Sequence, residues 1–322
     1  MKHQPRDRLP KRPGIIFMGT PEFAVPSLKA LVDSGHNILA VVTQPDRPKG
    51  RGRQIVSSPV KQAAMGYGLE VLQPERVSDQ EFCEAIRLLS PDICVVVAFG
   101  QILKKKFLDI PGWGSLNIHA SLLPKLRGAA PIQRAILNEE SHTGLTAMRM
   151  EEGLDTGPII LQEKVAILKD ETAGELHDRL SQLSGGILID TLKGLSERSL
   201  SEIPQDEAGA TYASKIDRNM ALVKWDQSAH TISALIRALD PVPGAYTVLN
   251  QKEIKLFSSR VLDEKRTGGM PGRVLGCSKD GLEVETARGI IQIGHLQAQG
   301  KKRIPVRDFL RGFPIKNNTL LE

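Results

Sequence analysis

Asn117 and His119 stand two residues apart in LNIHASLLPKLRGAAPIQRAI, residues 116–136, and an acidic loop, EEGLDTG, follows at 151–157. On a strand, side chains alternate between faces, so both polar groups point the same way. An amide able to donate to a developing oxyanion then lies beside an imidazole able to move a proton at neutral pH. Asp155 supplies a carboxylate that can orient the ring or take a proton itself. By itself, N-x-H describes two polar side chains on a solvated edge strand, but the punctuation around it argues otherwise. Pro124 and Gly128 break regular structure, and Pro131 falls where the first turn of a following helix tolerates it. Ser121 invites a nucleophilic reading, yet the chain has no G-x-S-x-G elbow, and Ser121 reads as a loop residue. The histidines at 36, 177, 230 and 295 sit in turn, helix or strand patterns. No His/Cys/Asp cluster has metal-ligand spacing, so no metal is expected.

Short apolar runs alternate with helical periodicity upstream of these residues. GIIFM, HNILAVVTQ, LEVLQ and DICVVVAFG read as strands of a parallel sheet covered on both faces. Helical segments join them with the handedness such crossovers require. DICVVVAFG is the most apolar and is expected at the sheet centre. Its carboxyl end, Phe99-Gly100, should open on the ligand crevice. GTPEFA after the first strand is not G-x-G-x-x-G, so a dinucleotide site is not indicated. TGLTAMRM and PIILQEKVAIL extend the sheet, and TAGELHDRLSQLSGGILIDTLKGL is a long helix.

Residues 45–59, PDRPKGRGRQIVSSP, hold three prolines, two glycines and four basic residues. This mixture predicts an exposed loop without regular structure, in which Arg47, Lys49, Arg51 and Arg53 are suited to phosphate or base contacts. Residues 197–214 have few apolar anchors and read as a linker. Beyond them, one helical stretch precedes short strands parted by Gly, Asn and Asp turns, the pattern of a small barrel. Lys301, Lys302 and Arg303 cluster near its end.

The 322 residues, 40% of them hydrophobic, suffice for two cored domains. Three scattered cysteines indicate a reducing compartment, and cytoplasmic localisation is expected. No apolar run has the length of a membrane span. The basic segment MKHQPRDRLPKRPG lacks a hydrophobic run behind it, unlike a secretory signal, and reads as a solvated tail. The whole chain carries +6, but residues 212–322 carry +7 and residues 14–211 carry −5. Such asymmetry suits a polyanionic partner held by the C-terminal third, most often nucleic acid.

HASLLPKLRGAAPIQRAI, together with EEGLDTG and GTPEFA, resembles the signatures of the folate-dependent formyltransferases, and the likeness extends over nearly everything after residue 13. The resemblance implies an α/β fold: a Rossmann-like, mostly parallel sheet in a formyltransferase domain, followed by a small OB-like β-barrel. The implied organisation is a tail at 1–13, a catalytic domain at 14–196, a linker at 197–214 and a tRNA-binding domain at 215–322. It implies an enzyme that moves the formyl group of 10-formyltetrahydrofolate to the amino group of methionyl-initiator-tRNA, acting as a monomer. Asn117, His119 and Asp155 would be catalytic. Ser121, Leu122, Leu123 and Pro124, with Phe99 and Gly100, would form the folate pocket. The loop at 45–59 would enter the acceptor end of the tRNA, with Arg51 at the key basic position, and Lys301, Lys302 and Arg303 would add tRNA contacts. A small-amine acceptor, a formyl-folate hydrolase and a non-catalytic RNA-binding protein are the alternatives. The Arg-rich loop and basic C-terminal third favour the tRNA acceptor over the first, and the Asn-His pair with EEGLDTG argues against the last.

Overall fold

The computed structural model of the chain describes residues 8–49, 54–278 and 280–322. The chain divides into two units, Met1–Gly128 with Thr143–Val165 and His177–Tyr212, and Ala129–His142 with Ala166–Leu176 and Ala213–Glu322.

The apolar runs of the first unit become strands. β1 (Gly14–Gly19) leads through a 3-10 turn at Glu22–Ala24 into α1 (Val25–Asp33), and β2 (Asn37–Val42) follows. Residues 47–56 then depart from expectation. Instead of irregular structure, 47–49 and 54–56 pair as two antiparallel strands, β3 (Arg47–Lys49) and β4 (Gln54–Val56), with Pro48 opposite Ile55. A two-stranded ribbon consists of edge strands, which is where a sheet accepts proline. Arg51 and Arg53 lie outside the described residues.

α2 (Pro59–Gly66) starts under a Ser58 cap, whose Oγ accepts from the Lys61 amide at 3.1 Å. β5 (Val71–Leu72), α3 (Gln80–Leu88), β6 (Ile93–Val97), α4 (Lys105–Leu108) and β7 (Gly114–His119) continue the alternation. α5 (Pro131–Leu137), β8 (His142–Arg149), β9 (Ile159–Ala166) and α6 (Ala173–Glu197) follow. The seven strands run in the order β5-β2-β1-β6-β7-β8-β9, which puts β6 in the middle. β5, β2, β1, β6 and β7 are parallel, and β8 turns antiparallel against β7. Because strand side chains alternate, Ile16, Met18, Ala40, Val42, Cys94 and Val96 fill one core together with Cys83, Ile86 and Phe107. Ile15, Phe17, Val95 and Val97, of opposite parity, are also fully buried, so both faces are covered. Residues 8–13 are not a solvated tail. Leu9 is fully buried and Arg8 Nε donates to the Ser196 carbonyl at 3.2 Å.

In the second unit, α7 (Ala229–Ala238), capped by Ser228, packs on α5 and on an antiparallel sheet. The strands are β10 (Tyr246–Leu249), β11 (Lys252–Thr267), β12 (Val274–Ser278), β13 (Gly281–Glu285), β14 (Arg288–Ala298) and β15 (Ile304–Pro305), and α8 (Val306–Gly312) comes after them. The order is β10-β11-β14-β13-β12, with β15 on β14. Register shifts in β11 against β14 let the long strand coil. Residues 317–322 join the two margins. Asn318 and Thr319 exchange hydrogen bonds with Val274 on β12, while Glu322 and Val248 on β10 exchange a pair at 2.8 and 3.0 Å. Inside lie Trp225, Ile232, Leu256, Val284, Ile291 and Ile293. Among the described residues, no helix is long and apolar enough to cross a membrane.

Candidate active site

Strand β7 holds Asn117 and His119 on one face, paired along its length with β6 and β8. Both are buried, at 9% and 8% exposure. The Asn117 carboxamide has no hydrogen-bond partner among the described residues. A buried amide left open in this way is equipped to receive a ligand oxygen. His119 Nε2 lies 3.0 Å from the Leu126 carbonyl oxygen. A carbonyl only accepts, so Nε2 carries a proton, and in the neutral ring Nδ1 then keeps the lone pair. Nδ1 faces Asp155 Oδ2 at 3.7 Å, too long for a hydrogen bond but close enough to stabilise an imidazolium.

Asp155 reaches this position because the loop after β8 folds back on the sheet. Its Oδ2 accepts from the Gly128 amide at 2.8 Å, tying 151–157 to the 120–128 loop. Its backbone has φ +54°, the left-handed region that Asp tolerates better than most residues. Gly157 makes the fold-back feasible, since a Cβ there would overlap the Arg149 carbonyl oxygen.

The 120–128 loop is stitched in place. Ser121 is buried, and its hydroxyl donates to the Lys125 carbonyl at 2.6 Å, so it is not poised as a nucleophile. Thr146 Oγ1 donates to the Ser121 carbonyl and accepts from the Leu123 amide, and Gln162 donates to the Leu123 carbonyl at 2.9 Å. Leu123 points inward, whereas Leu122 and Pro124 are half-buried. At the end of β6, Phe99 is buried and Gly100 is exposed with φ +89°. A cavity of about 480 Å³ opens beside the start of β7 and the end of β8, walled by Leu108, Trp113, Gly114, Arg149, Met150 and Gly153 among others, and neither Asn117, His119 nor Asp155 lines it. The loop that carries Asp155 thus forms part of its wall.

Several residues here escaped the sequence reading. Segment 197–212 is laced to the loops. Thr211 exchanges hydrogen bonds with Pro124, Leu126 and Arg127, and Gln205 and Glu207 hold Arg127, whose side chain is fully buried. The only prior sign was a charged residue between Leu126 and Gly128. Of the basic residues expected at nucleic acid, Arg47 is exposed on β3, and only the backbone of Lys49 is described. Lys301, Lys302 and Arg303 are all exposed, and Arg303 is also engaged by residues of its own unit. It bonds Asp240 and Ser258 at 2.8 Å each and stacks 4.4 Å over Phe257. Among the described residues, no group of three or more His, Cys, Asp or Glu could hold a metal.

A parallel sheet covered on both faces thus carries a buried Asn–His pair on one strand, with a carboxylate folded back towards the imidazole, and sequence comparison defines the class of protein. The family model described as "Formyl transferase" matches residues 13–192, and "Formyl transferase, C-terminal domain" matches residues 215–314. The chain belongs to the formyl transferase family. Its relatives include the methionyl-tRNA formyltransferase of Moorella thermoacetica, 46% identical over 307 residues (95% of this chain and 98% of the relative). That of Pelobacter propionicus is 48% identical over 308 residues, covering 95% of each. An N-formyltransferase from Helicobacter canadensis, solved with folinic acid and dTDP-3-aminofucose, shares the fold at TM-score 0.67. It is 20% identical, with 90% of this chain and 99% of that one covered.

Proposed function

We propose that this chain transfers the formyl group of 10-formyltetrahydrofolate to the free amino group of methionyl-initiator-tRNA. The reading rests on the chain-long likeness to methionyl-tRNA formyltransferases, and one observation carries its chemistry: a buried, unpartnered Asn117 amide beside a His119–Asp155 pair at 3.7 Å. The amine nitrogen attacks the formyl carbon, a tetrahedral oxyanion forms, and the bond to the folate nitrogen breaks as that nitrogen is protonated. Asn117 donates to the oxyanion. His119 accepts the amine's proton at Nδ1, and Asp155 stabilises the resulting imidazolium until the proton passes to the leaving nitrogen. No covalent enzyme intermediate is needed, which agrees with a Ser121 hydroxyl committed to its own loop.

Leu122, Pro124, Phe99 and Gly100, with Ser121 and Leu123 shaping the loop from inside, border the folate. Residues 14–196 carry the chemistry, and 215–322, with their positive charge, hold the tRNA. The segment with Arg47, Lys49, Arg51 and Arg53 approaches the acceptor stem. A monomer in the cytoplasm completes the reading.

The test is formylation of charged initiator against elongator methionine tRNA by the purified protein with the formyl-folate. Selective formylation of the initiator is expected. Formylation of a small amine alone, or release of formate without an acceptor, would overturn the assignment.

A further inference from the structure

Gln205 lies in a segment with few apolar anchors, yet its amide is fully engaged. The nitrogen donates to the carbonyl oxygens of Asp155 (2.8 Å) and Gly157 (2.7 Å). The oxygen accepts from Arg127 Nε (3.1 Å) and Nη2 (2.8 Å). Only one orientation of the amide serves this set, with two acceptors at one end and a cation at the other. Arg127 has no exposed surface, and its Nη1 and Nη2 also reach the two carboxylate oxygens of Glu207 at 3.0 and 2.8 Å. Gln205 therefore links a rigid, buried cation to the backbone on both sides of Thr156, within the loop that must hold Asp155 at φ +54°. The Asp155 carboxylate is fixed at its other end by the Gly128 amide, the residue next to Arg127.

We infer that Gln205 is a positioning residue for formyl transfer: by clamping the Asp155 and Gly157 carbonyls to Arg127, it sets the Asp155 carboxylate against His119. The inference rests on the catalytic reading of Asp155 given above. Gln205 touches no reacting atom and acts through Asp155 alone.

Gln205→Glu separates its two roles, since an oxygen remains for Arg127 while the donor to both carbonyls is lost. Gln205→Met keeps the length of the side chain and removes every hydrogen bond. Both are measured by single-turnover formylation of charged initiator tRNA, in wild-type and Asp155→Asn backgrounds, with thermal melts alongside. Misplacement of a catalytic group by about 1 Å costs on the order of 10²-fold. The expected result for Gln205→Glu is such a loss in kcat, with KM for both substrates little changed and the melting temperature near wild type. In the Asp155→Asn background neither variant should lower kcat further, because groups acting as one unit are not additive. Full turnover in both single variants would overturn the inference, and so would a loss of equal size in both backgrounds, the signature of a merely structural role. Full turnover in Asp155→Asn alone would sink the catalytic reading of Asp155, and this inference with it.

Discussion

Asp155→Asn removes a charge while keeping nearly all of the local structure. The asparagine oxygen can accept from the Gly128 amide as Oδ2 does at 2.8 Å, and Asn tolerates the left-handed φ that position 155 requires. What disappears is the field at His119 Nδ1, 3.7 Å away. With both side chains largely buried, an effective dielectric of about 20 gives an attraction between carboxylate and imidazolium of about 4–5 kcal/mol. The ring is charged only once it has taken the proton, so this attraction acts on the transition state rather than on substrate binding. With part of it offset by desolvation of the carboxylate, about 3–4 kcal/mol remains, or 10²–10³ in kcat. The assay is single-turnover formylation across pH, with KM for folate and tRNA measured in parallel. The variant should melt near wild type, bind both substrates and turn over slowly. A loss below about threefold, worth roughly 0.7 kcal/mol, would refute the electrostatic role, whatever the proximity of the two groups.

Asn117→Ala should cost a comparable 10²–10³ in kcat, about 3–4 kcal/mol, with tRNA binding unchanged by filter retention. Gly157→Ala should nearly abolish turnover and lower the melting temperature, because the new Cβ meets the Arg149 carbonyl oxygen and the loop carrying Asp155 must shift. Lys301→Ala or Lys302→Ala should weaken tRNA binding and reduce the slope of log affinity against log salt by about 1 each. Arg303→Ala should instead lower the melting temperature, since that side chain holds Asp240, Ser258 and Phe257. Glu285 is buried, and the Arg273 guanidinium bonded to it at 2.7 Å holds its carboxyl below the ordinary range. Folded protein binds that proton less readily than unfolded chain, so the stabilisation is complete above about pH 4.3 and is lost as pH falls through the folded value. Calorimetry of Glu285→Gln should show this acid-side loss of stability reduced.

The strands of the first sheet were legible because parallel strands covered on both faces must be continuously apolar, and β6, the richest of them, is central. The proximity of Asn117 and His119 followed from strand parity alone, and Pro131 marked the start of α5. The pairing of 47–49 with 54–56 was not legible, since proline and arginine content says nothing of a two-stranded ribbon. The order within segment 197–214 was not legible for a related reason. Hydrophobic spacing detects order that comes from burial, whereas this segment is ordered by hydrogen bonds of Gln205, Glu207 and Thr211 to residues some 80 positions away. The engagement of Arg303 with Asp240 depends on tertiary contact in the same way.

Residues 317–322 tie Val274 at the start of β12 to Val248 on β10. A chain lacking those six residues would leave the amides and carbonyls of Val274 and Val248 unsatisfied at the two margins, where a second molecule could add a strand. The same six residues also give the core Leu321, buried at 4% exposure, so their loss would open the interior as well as the rim.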